Sequence, residues 1–322
     1  MPEINFHKKL KELKKMASEE HMQVYEDLSK IEHKLFGGKG STSAWEKVTL
    51  VRHPERPTAL DYIERVFDNF FELHGDRLGG DDAALIGGIA FFEGIPVTVI
   101  AHQKGRNLKD SIYRNYGMAQ PEGYRKALRL AHEAETFGRP VITFIDTQGA
   151  YPGISAEEKG IGEAIARNLK EFSRLQVPVI SIVIGEGGSG GALGIGVGDR
   201  IFMLENSVYS VISPEGCASI LLRDASKANL AAELMKMTAR DLLGLGAIHG
   251  IISEGEGGAH KDVENTARYI QEALAQQLPI LINKKVPQLL KERSQRLLSM
   301  GPYYEEQEER QHFFSRIFGR GS

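Results

Sequence analysis

The segment VISIVIGEGGSGGALGIGVGDR, from Val179 to Arg200, constrains the fold more than any other stretch of the chain. Its first half is an apolar, β-branched run without polar alternation, the pattern of a strand buried on both faces. The run passes directly into clustered glycines and then a short helical stretch, so the unit reads strand, loop, helix. The glycines admit three chemical readings. Gly185, Gly187 and Gly190 spell G-x-G-x-x-G, a dinucleotide fingerprint, and Gly187, Ser189 and Gly191 spell G-x-S-x-G, a nucleophile elbow. In the third reading no side chain acts: the glycines clear space so that backbone N–H groups at a helix start can meet a developing oxyanion.

A second strand-loop-helix unit precedes it. RPVITFID reads as a strand, Gly149 to Gly153 as a loop and Glu157 to Arg174 as a helix, which places two glycine loops side by side at the ends of parallel strands. Pro121 suits the first turn of a helix running to Gly138. Further upstream, ALIGGIAFF and IPVTVIAHQ are separated only by Glu93-Gly94, the spacing of a tight hairpin. Pro57 to His74 reads as a helix capped by Thr58, with Ile63, Val66, Phe67, Phe70 and Phe71 on its buried side and Gly75 as its stop. DRIFML and VYSVIS are short strands, and in SPEGCASIL Ser213 caps a helix whose first turn holds Pro214. The alternation predicts an α/β fold with parallel strands.

The ends differ from this centre. Phe6 to Phe36 carries Leu10, Leu13, Met16, Val24, Leu28, Ile31 and Leu35 at helical spacing among Lys and Glu, and Gly37 to Ser43 reads as a hinge. Beyond Asn283, KKVPQLLKERSQRLL and EEQEERQHFFSRIFGR read as charged helical segments forming a solvated tail. The expected organisation is therefore an amphipathic arm over 1–43, a catalytic domain over 44–283 and a tail over 284–322.

With 322 residues the chain has enough length for one large α/β domain, and a net charge of −3 gives no reason to expect nucleic acid or membrane binding. The single cysteine, Cys217, forms no internal disulfide and fits a reducing cytoplasm. No apolar run is long enough to span a membrane, and no four-thiol metal pattern occurs.

Each side-chain reading of the glycine loop has candidates. For a dinucleotide site, Glu205 follows Gly185 at the spacing of a ribose-binding acid, although the helix between Gly191 and Gly198 is short and glycine-rich. For a Ser189 hydrolase, His249, His260, Asp199, Asp224 and Asp241 are available in type, although His249 lies in the apolar stretch LGAIHGII. Ser189 is equally the small residue that a crowded turn tolerates. For the oxyanion reading, Gly190 and Gly191 supply amides, and Gly187 and Gly188 shape the loop. The basic segment from Lys104 to Arg114, with Arg106 and Lys109, has the residue types that bind phosphates.

Five blocks together carry a family resemblance: HQKGR (His102 to Arg106), RNYGMAQPEGYRKALRL (Arg114 to Leu130), FIDTQGAYPG (Phe144 to Gly153), GEGGSGGALGIGVGD (Gly185 to Asp199) and YSVISPEGCASIL (Tyr209 to Leu221). In this order they resemble the α subunit of bacterial acetyl-CoA carboxylase carboxyltransferase, over nearly the whole chain. Gln148 stands where that family often has Pro. The resemblance implies a crotonase-type (ClpP/crotonase) spiral of ββα units. It implies an α₂β₂ assembly in which the β subunit carries a zinc ribbon, with no metal on this chain. It also implies transfer of a carboxyl group from carboxybiotin, held on a biotin carboxyl carrier protein, to acetyl-CoA, giving malonyl-CoA for fatty acid synthesis, with ATP consumed by the biotin carboxylase partner. On this reading Gly190 and Gly191 serve the biotin oxyanion. Lys104, Arg106 and Arg114 reach CoA phosphates, and Tyr151 beside Gly149, with the turn Ser213, Pro214, Glu215 and Gly216, lines the biotin pocket. A non-catalytic docking subunit is the remaining alternative.

Overall fold

The computed structural model describes residues 42–301. The amphipathic arm, most of the hinge and the last charged segment lie outside them.

Chain order begins with α1 (Ala44–Val51), α2 (Ala59–Val66), β1 (Asp68–Glu72), β2 (Leu85–Phe92), β3 (Ile95–His102) and α3 (Leu108–Tyr113). It continues through α4 (Pro121–Thr136), β4 (Val141–Thr147), α5 (Ile154–Glu158), α6 (Ile161–Phe172), β5 (Val179–Gly188) and α7 (Ser189–Leu193). The rest comprises β6 (Arg200–Leu204), β7 (Val208–Ser210), α8 (Pro214–Cys217), α9 (Ala228–Leu234), α10 (Ala239–Gly244), β8 (Gly250–Ile252), α11 (Val263–Ile282) and α12 (Val286–Leu298).

Eight strands form one sheet in the order β1-β2-β3-β4-β5-β6-β8, with β7 pairing to the far end of β5. Pairing is antiparallel from β1 to β3 and parallel from β3 onward. The β2–β3 hairpin turns on Glu93 and Gly94, both at positive φ (49° and 79°), as a two-residue turn demands. Every residue of β4 is buried, and so are the first nine of β5, because helices cover both faces. Alternate residues therefore serve two cores. Val141, Ile145, Val179 and Val183 join Tyr124 and Leu130 of α4. Ile142, Phe144, Ile180 and Ile182 join Ile63 of α2 and Ile270 and Leu274 of α11.

Three expectations change. The helix expected over Pro57 to His74 ends at Val66, because Asp68 to Glu72 pair with β2 as an edge strand; alternation within it leaves Phe71 68% exposed beside half-buried Phe70 and Glu72, while Phe67, the helix cap before the strand, is buried. The helix expected over Glu157 to Arg174 is two, broken at Gly160, whose φ of 79° leaves the helical region. The third change concerns the segment after Asn283. Instead of a solvated tail, α12 is pinned to the core by Arg293. Its guanidinium is 1% exposed and donates to both carboxylate oxygens of Asp199 (2.8 and 2.7 Å) and to the carbonyls of Phe172, Leu175 and Val177. Its charged residues resembled those of a solvated tail because the attachment rests on few side chains, Arg293 together with the buried Leu289.

Arg293→Ala leaves the Asp199 carboxylate buried without its cation, so a loss of about 3–5 kcal/mol is expected in urea unfolding. Arg268→Ala, which removes an exposed pair with Glu272, should change the same measurement by less than about 1 kcal/mol.

Candidate functional site

The two glycine loops do lie side by side. β4 and β5 run parallel and stay paired, through a register shift between Ile145 and Thr147, as far as Thr147 opposite Gly187, so their C-terminal ends open together. A Cβ on Gly188 would stand 2.0 Å from the Gln148 carbonyl oxygen, and one on Gly191 would stand 2.4 Å from the Ala150 nitrogen. Backbone thus packs directly on backbone, and any larger residue at either position drives the loops apart. Gly190 differs, since a Cβ there would meet only Ile165, at 3.7 Å. Between them Ser189 takes φ 52°, a left-handed conformation that costs a non-glycine residue about 1–2 kcal/mol and turns the strand sharply into α7.

α7 has five residues and two internal glycines, so it lacks the length and propensity to stand alone. Buried side chains from neighbouring helices fasten its carbonyls. The Tyr124 hydroxyl donates to the Gly191 carbonyl (3.1 Å), and Asn168 Nδ2 donates to the Gly194 carbonyl (3.0 Å) and to the Tyr124 carbonyl (3.0 Å). At the other end Gly188 offers no side-chain cap, so the first N–H groups of α7 have neither a side-chain cap nor an intrahelical acceptor.

A charged cluster flanks the loop. Glu186 accepts from Arg52 Nε (2.9 Å) and Lys104 Nζ (3.0 Å), and Lys104 also pairs with Asp146 (2.8 Å). Burial alone would raise the Glu186 carboxyl, but the Lys104 and Arg52 charges outweigh it and hold the group below the usual range. Burial likewise opposes the Lys104 ammonium, and Asp146 and Glu186 keep it above its ordinary value. Arg52 extends the network to Glu215 (2.6 Å).

Three cavities form a trough along the loop. A polar one of about 490 Å³ is lined by Arg52, Lys104, Arg106, Asp146, Gln148 and Glu186. A small pocket of about 40 Å³ adjoins it and shares Arg52, Gln148 and Glu186, adding Gly187, Gly188 and Ser213. Ser210 then links that pocket to an apolar cleft of about 330 Å³, walled by Ser189, Gly190, Leu193, Val197, Leu242 and Met300.

Of the residues singled out in the sequence, Lys104, Arg106, Gly187, Gly188, Gly190, Ser213 and Pro214 border this trough. Gly191 lies behind it against the neighbouring loop. Ser213 caps α8, its Oγ accepting from the Gly216 amide (3.1 Å), and Pro214 occupies the first turn. Tyr151 donates its backbone N–H to the Ala119 carbonyl (2.9 Å) and stacks its ring edge over Gly153, outside the three cavities. Arg114 is engaged by Asp110 (2.9 Å) and the Ala83 carbonyl (2.9 Å), so it tethers its own loop. Arg106 pairs with Asp61 (2.7 Å) and keeps a side chain 45% exposed at the rim.

The serine-hydrolase reading fails on partners. His249 Nδ1 accepts from the Ile201 amide (3.0 Å), and His260 stacks on His53. Asp199 is held by Arg293, Asp224 caps a turn through Ser226, and Asp241 caps α10 through Thr238. Among the described residues Ser189 receives no base. The dinucleotide reading fails on length, because a helix of five residues replaces the long one that a pyrophosphate site opens. Among the described residues no cluster of three or more His, Cys, Asp or Glu is arranged for a metal ion, and no helix is long and apolar enough to cross a membrane.

Sequence reasoning missed Tyr124 and Asn168, which lie far from the loop along the chain, and the joint role of Asp146 and Glu186. Glu186 carried a signal: it is an acid at an inward position of an otherwise apolar strand.

Two consequences are measurable. Tyr124→Phe leaves the Gly191 carbonyl without its donor, so a loss of about 1–3 kcal/mol is expected, with faster amide hydrogen exchange across residues 189–194 than elsewhere. His102, fully buried beside Tyr124, has its imidazole pushed down to about 3 by burial and by the Lys104 charge. The unfolded chain takes up this proton below about pH 6.5 while the folded chain does not, so the contribution is present above that pH and lost as pH falls towards 3. Between pH 7 and pH 5 the loss amounts to about 2 kcal/mol. In His102→Gln that part of the acid sensitivity should vanish from pH-dependent urea midpoints.

Comparison with known proteins agrees with this geometry. Residues 2–301 match the family model described as acetyl co-enzyme A carboxylase carboxyltransferase-like. The chain is 59% identical over 296 residues to the acetyl-coenzyme A carboxylase carboxyl transferase subunit alpha of Treponema denticola, covering 92% of this chain and 97% of that one. It is 53% identical to the subunit of the same name from Anoxybacillus flavithermus, over 95% and 96% of the two chains. Among solved structures, a transcarboxylase 12S aligns with TM-score 0.56 at 20% identity, over 70% of this chain and 44% of that one. The β subunit of Pseudomonas aeruginosa geranyl-CoA carboxylase aligns with TM-score 0.54 at 16% identity, over 81% and 47%. These structures share the fold, which is the crotonase-like one expected from the sequence.

Proposed function

The chain belongs to the acetyl-CoA carboxylase carboxyltransferase α-subunit family, and from that premise we propose that its glycine loop is one half of an active site completed by the β subunit. It is a carboxyltransferase subunit of a multi-subunit complex. The reaction assigned here moves a carboxyl group from carboxybiotin on a carrier protein to acetyl-CoA, giving malonyl-CoA. Biotin carboxylase and the carrier complete the complex, and zinc belongs to the β subunit.

The observation that carries this reading is the unpaired N-terminus of α7, pressed against a second loop and opening onto an apolar cleft. That cleft fits biotin, whose bicyclic body is apolar and whose ureido end is polar. When bound, carboxybiotin supplies the activated carboxyl group. As that group leaves, the amides of Gly190 and Gly191 donate to the ureido oxygen on which charge develops. Loss of one such donor costs about 2.7–4 kcal/mol. Gly188 and Gly191 keep the two loops in contact, and Tyr124 and Asn168 hold the amides in aim. Ser213 and Pro214 form part of the wall of the adjoining pocket, Glu215 and Gly216 hold that turn through Arg52 and the Ser213 hydroxyl, and Tyr151 with Gly149 braces the partner loop from behind. Arg106, exposed at the rim of the polar cavity, takes the CoA phosphate role. Lys104 is committed to Asp146 and Glu186, and Arg114 to Asp110.

Malonyl-CoA decarboxylation in the presence of biocytin tests the split site. The purified chain alone should be silent and its mixture with a carboxyltransferase β subunit active. Ser189→Ala should leave the mixture's kcat within about threefold, since no base reaches that hydroxyl. A mixture that assembles yet stays silent would refute the reading. For Arg106→Ala, the KM for acetyl-CoA should rise about tenfold with kcat nearly unchanged, the loss of one charge-assisted phosphate contact. An unchanged KM removes Arg106 from the CoA site.

A further inference from the structure

One cluster of cations is separate from the Lys104 and Arg52 network beside the loop. A cavity of about 190 Å³ lies between β6, the end of α11 and α12, lined by Arg200, His249, Arg293, Arg296 and Glu292. Arg296 is shared with the apolar cleft beside Ser189 and Gly190. The acids of this cavity are already committed. Asp199 takes Arg293 in a two-point pair, and Glu292 takes Lys284 and Gln288. Arg293 has all five N–H groups satisfied and is structural.

The other donors are not satisfied. Arg296 gives Nη2 to the Gly198 carbonyl (3.1 Å), but its Nε and Nη1 are buried with no acceptor among the described residues. Arg200 gives Nε to Gln277 (3.2 Å) and Nη1 to the Asp199 carbonyl (2.9 Å), which leaves Nη2 unassigned among the described residues. His249 accepts from the Ile201 amide through Nδ1, so its neutral ring carries the proton on Nε2. Burial, then the Arg296 and Arg200 charges, push this imidazole down to about 4, which records how closely the positive groups converge. Buried guanidinium N–H groups without acceptors are costly, and an oxyanion is the partner whose charge and acceptor number suit them.

We propose that Arg200, His249 and Arg296 form a binding site for a small oxyanion of the phosphate or carboxylate class, set between β6 and α12 and meeting the trough along the glycine loop only at Arg296. The cavity has room for an inorganic phosphate or a short carboxylate and not for a nucleotide.

The test uses the full chain with ¹³C-labelled histidine, the His249 signal being assigned by its absence in His249→Gln. Inorganic phosphate and sodium acetate are titrated separately against sodium chloride at matched ionic strength. A bound anion offsets the arginine charges, so the His249 titration midpoint should move up, and the thermal midpoint should rise with anion concentration. A response to phosphate alone assigns the phosphate class, and one to acetate alone the carboxylate class. Arg296→Gln should weaken the response at least about tenfold in Kd. Arg200→Gln gives the same reading should Arg296→Gln fold poorly. If neither anion moves His249 beyond the chloride control, or if the variants bind as the wild type does, the proposal is wrong.

Discussion

Everything at this site depends on the contact of one backbone with another at the ends of β4 and β5. Gly188 sits where a methyl would overlap the Gln148 carbonyl, and Gly191 where it would overlap the Ala150 amide. Parallel strands, paired through an irregularity after Ile145 as far as Thr147 and Gly187, bring the two loops to the same height, and only hydrogen at those α-carbons lets them close. That closure forces the sharp turn at Ser189, which sets the left-handed φ there and leaves the N-terminus of α7 facing the trough. Ser189 has an elbow's geometry without an elbow's chemistry, since among the described residues no histidine bonds its hydroxyl and the candidate acids are engaged elsewhere. The arrangement leaves the uncapped start of α7 at the edge of the cleft, and the oxyanion role proposed for its amides rests on that.

Charge surrounds this backbone device in compensated form. Lys104 lies between Asp146 and Glu186, Arg52 ties Glu186 to Glu215, and Arg56 is buried against Glu254 at 2.7 Å. Such groups are tolerated in an interior only when paired. Here the pairing also joins α1, β4, β5 and α8 around the trough, so its walls come from segments far apart in the chain. The C-terminal helix follows the same rule through Arg293 and Asp199, whose carboxylate also accepts from the Val179 amide at the start of β5. One ion pair thus fastens α12 to the base of the strand whose other end forms the loop.

Much of this was legible in the sequence, for physical reasons. A strand buried on both faces leaves a continuous apolar run, so β4 and β5 could be read directly, as could the hairpin at Glu93-Gly94 and the cap at Ser213. The loop's three chemistries could not be separated by spacing. G-x-S-x-G and G-x-G-x-x-G describe where glycines are tolerated, and only three-dimensional contacts show which groups lack partners. Phe67 to Phe71 misled because aromatic residues suit a helix face and an edge strand equally, and pairing with β2 decided between them. Tyr124, Asn168 and Arg293 act over long separations and leave no periodic trace. The crotonase-like architecture came through the family resemblance, since an alternation of strands and helices does not distinguish a spiral of ββα units from an open parallel sheet.

The claim at the centre is that peptide N–H groups, not side chains, carry this subunit's share of the chemistry. The most direct measurement replaces the residue at 190 or 191 by glycolic acid, which exchanges one N–H for an ester oxygen and adds no bulk. Carboxyl transfer by the assembled complex is then followed. The account predicts that kcat falls by about 10²–10³ for each replacement while assembly with the β subunit is retained. Full activity in both esters, in an intact complex, would contradict it.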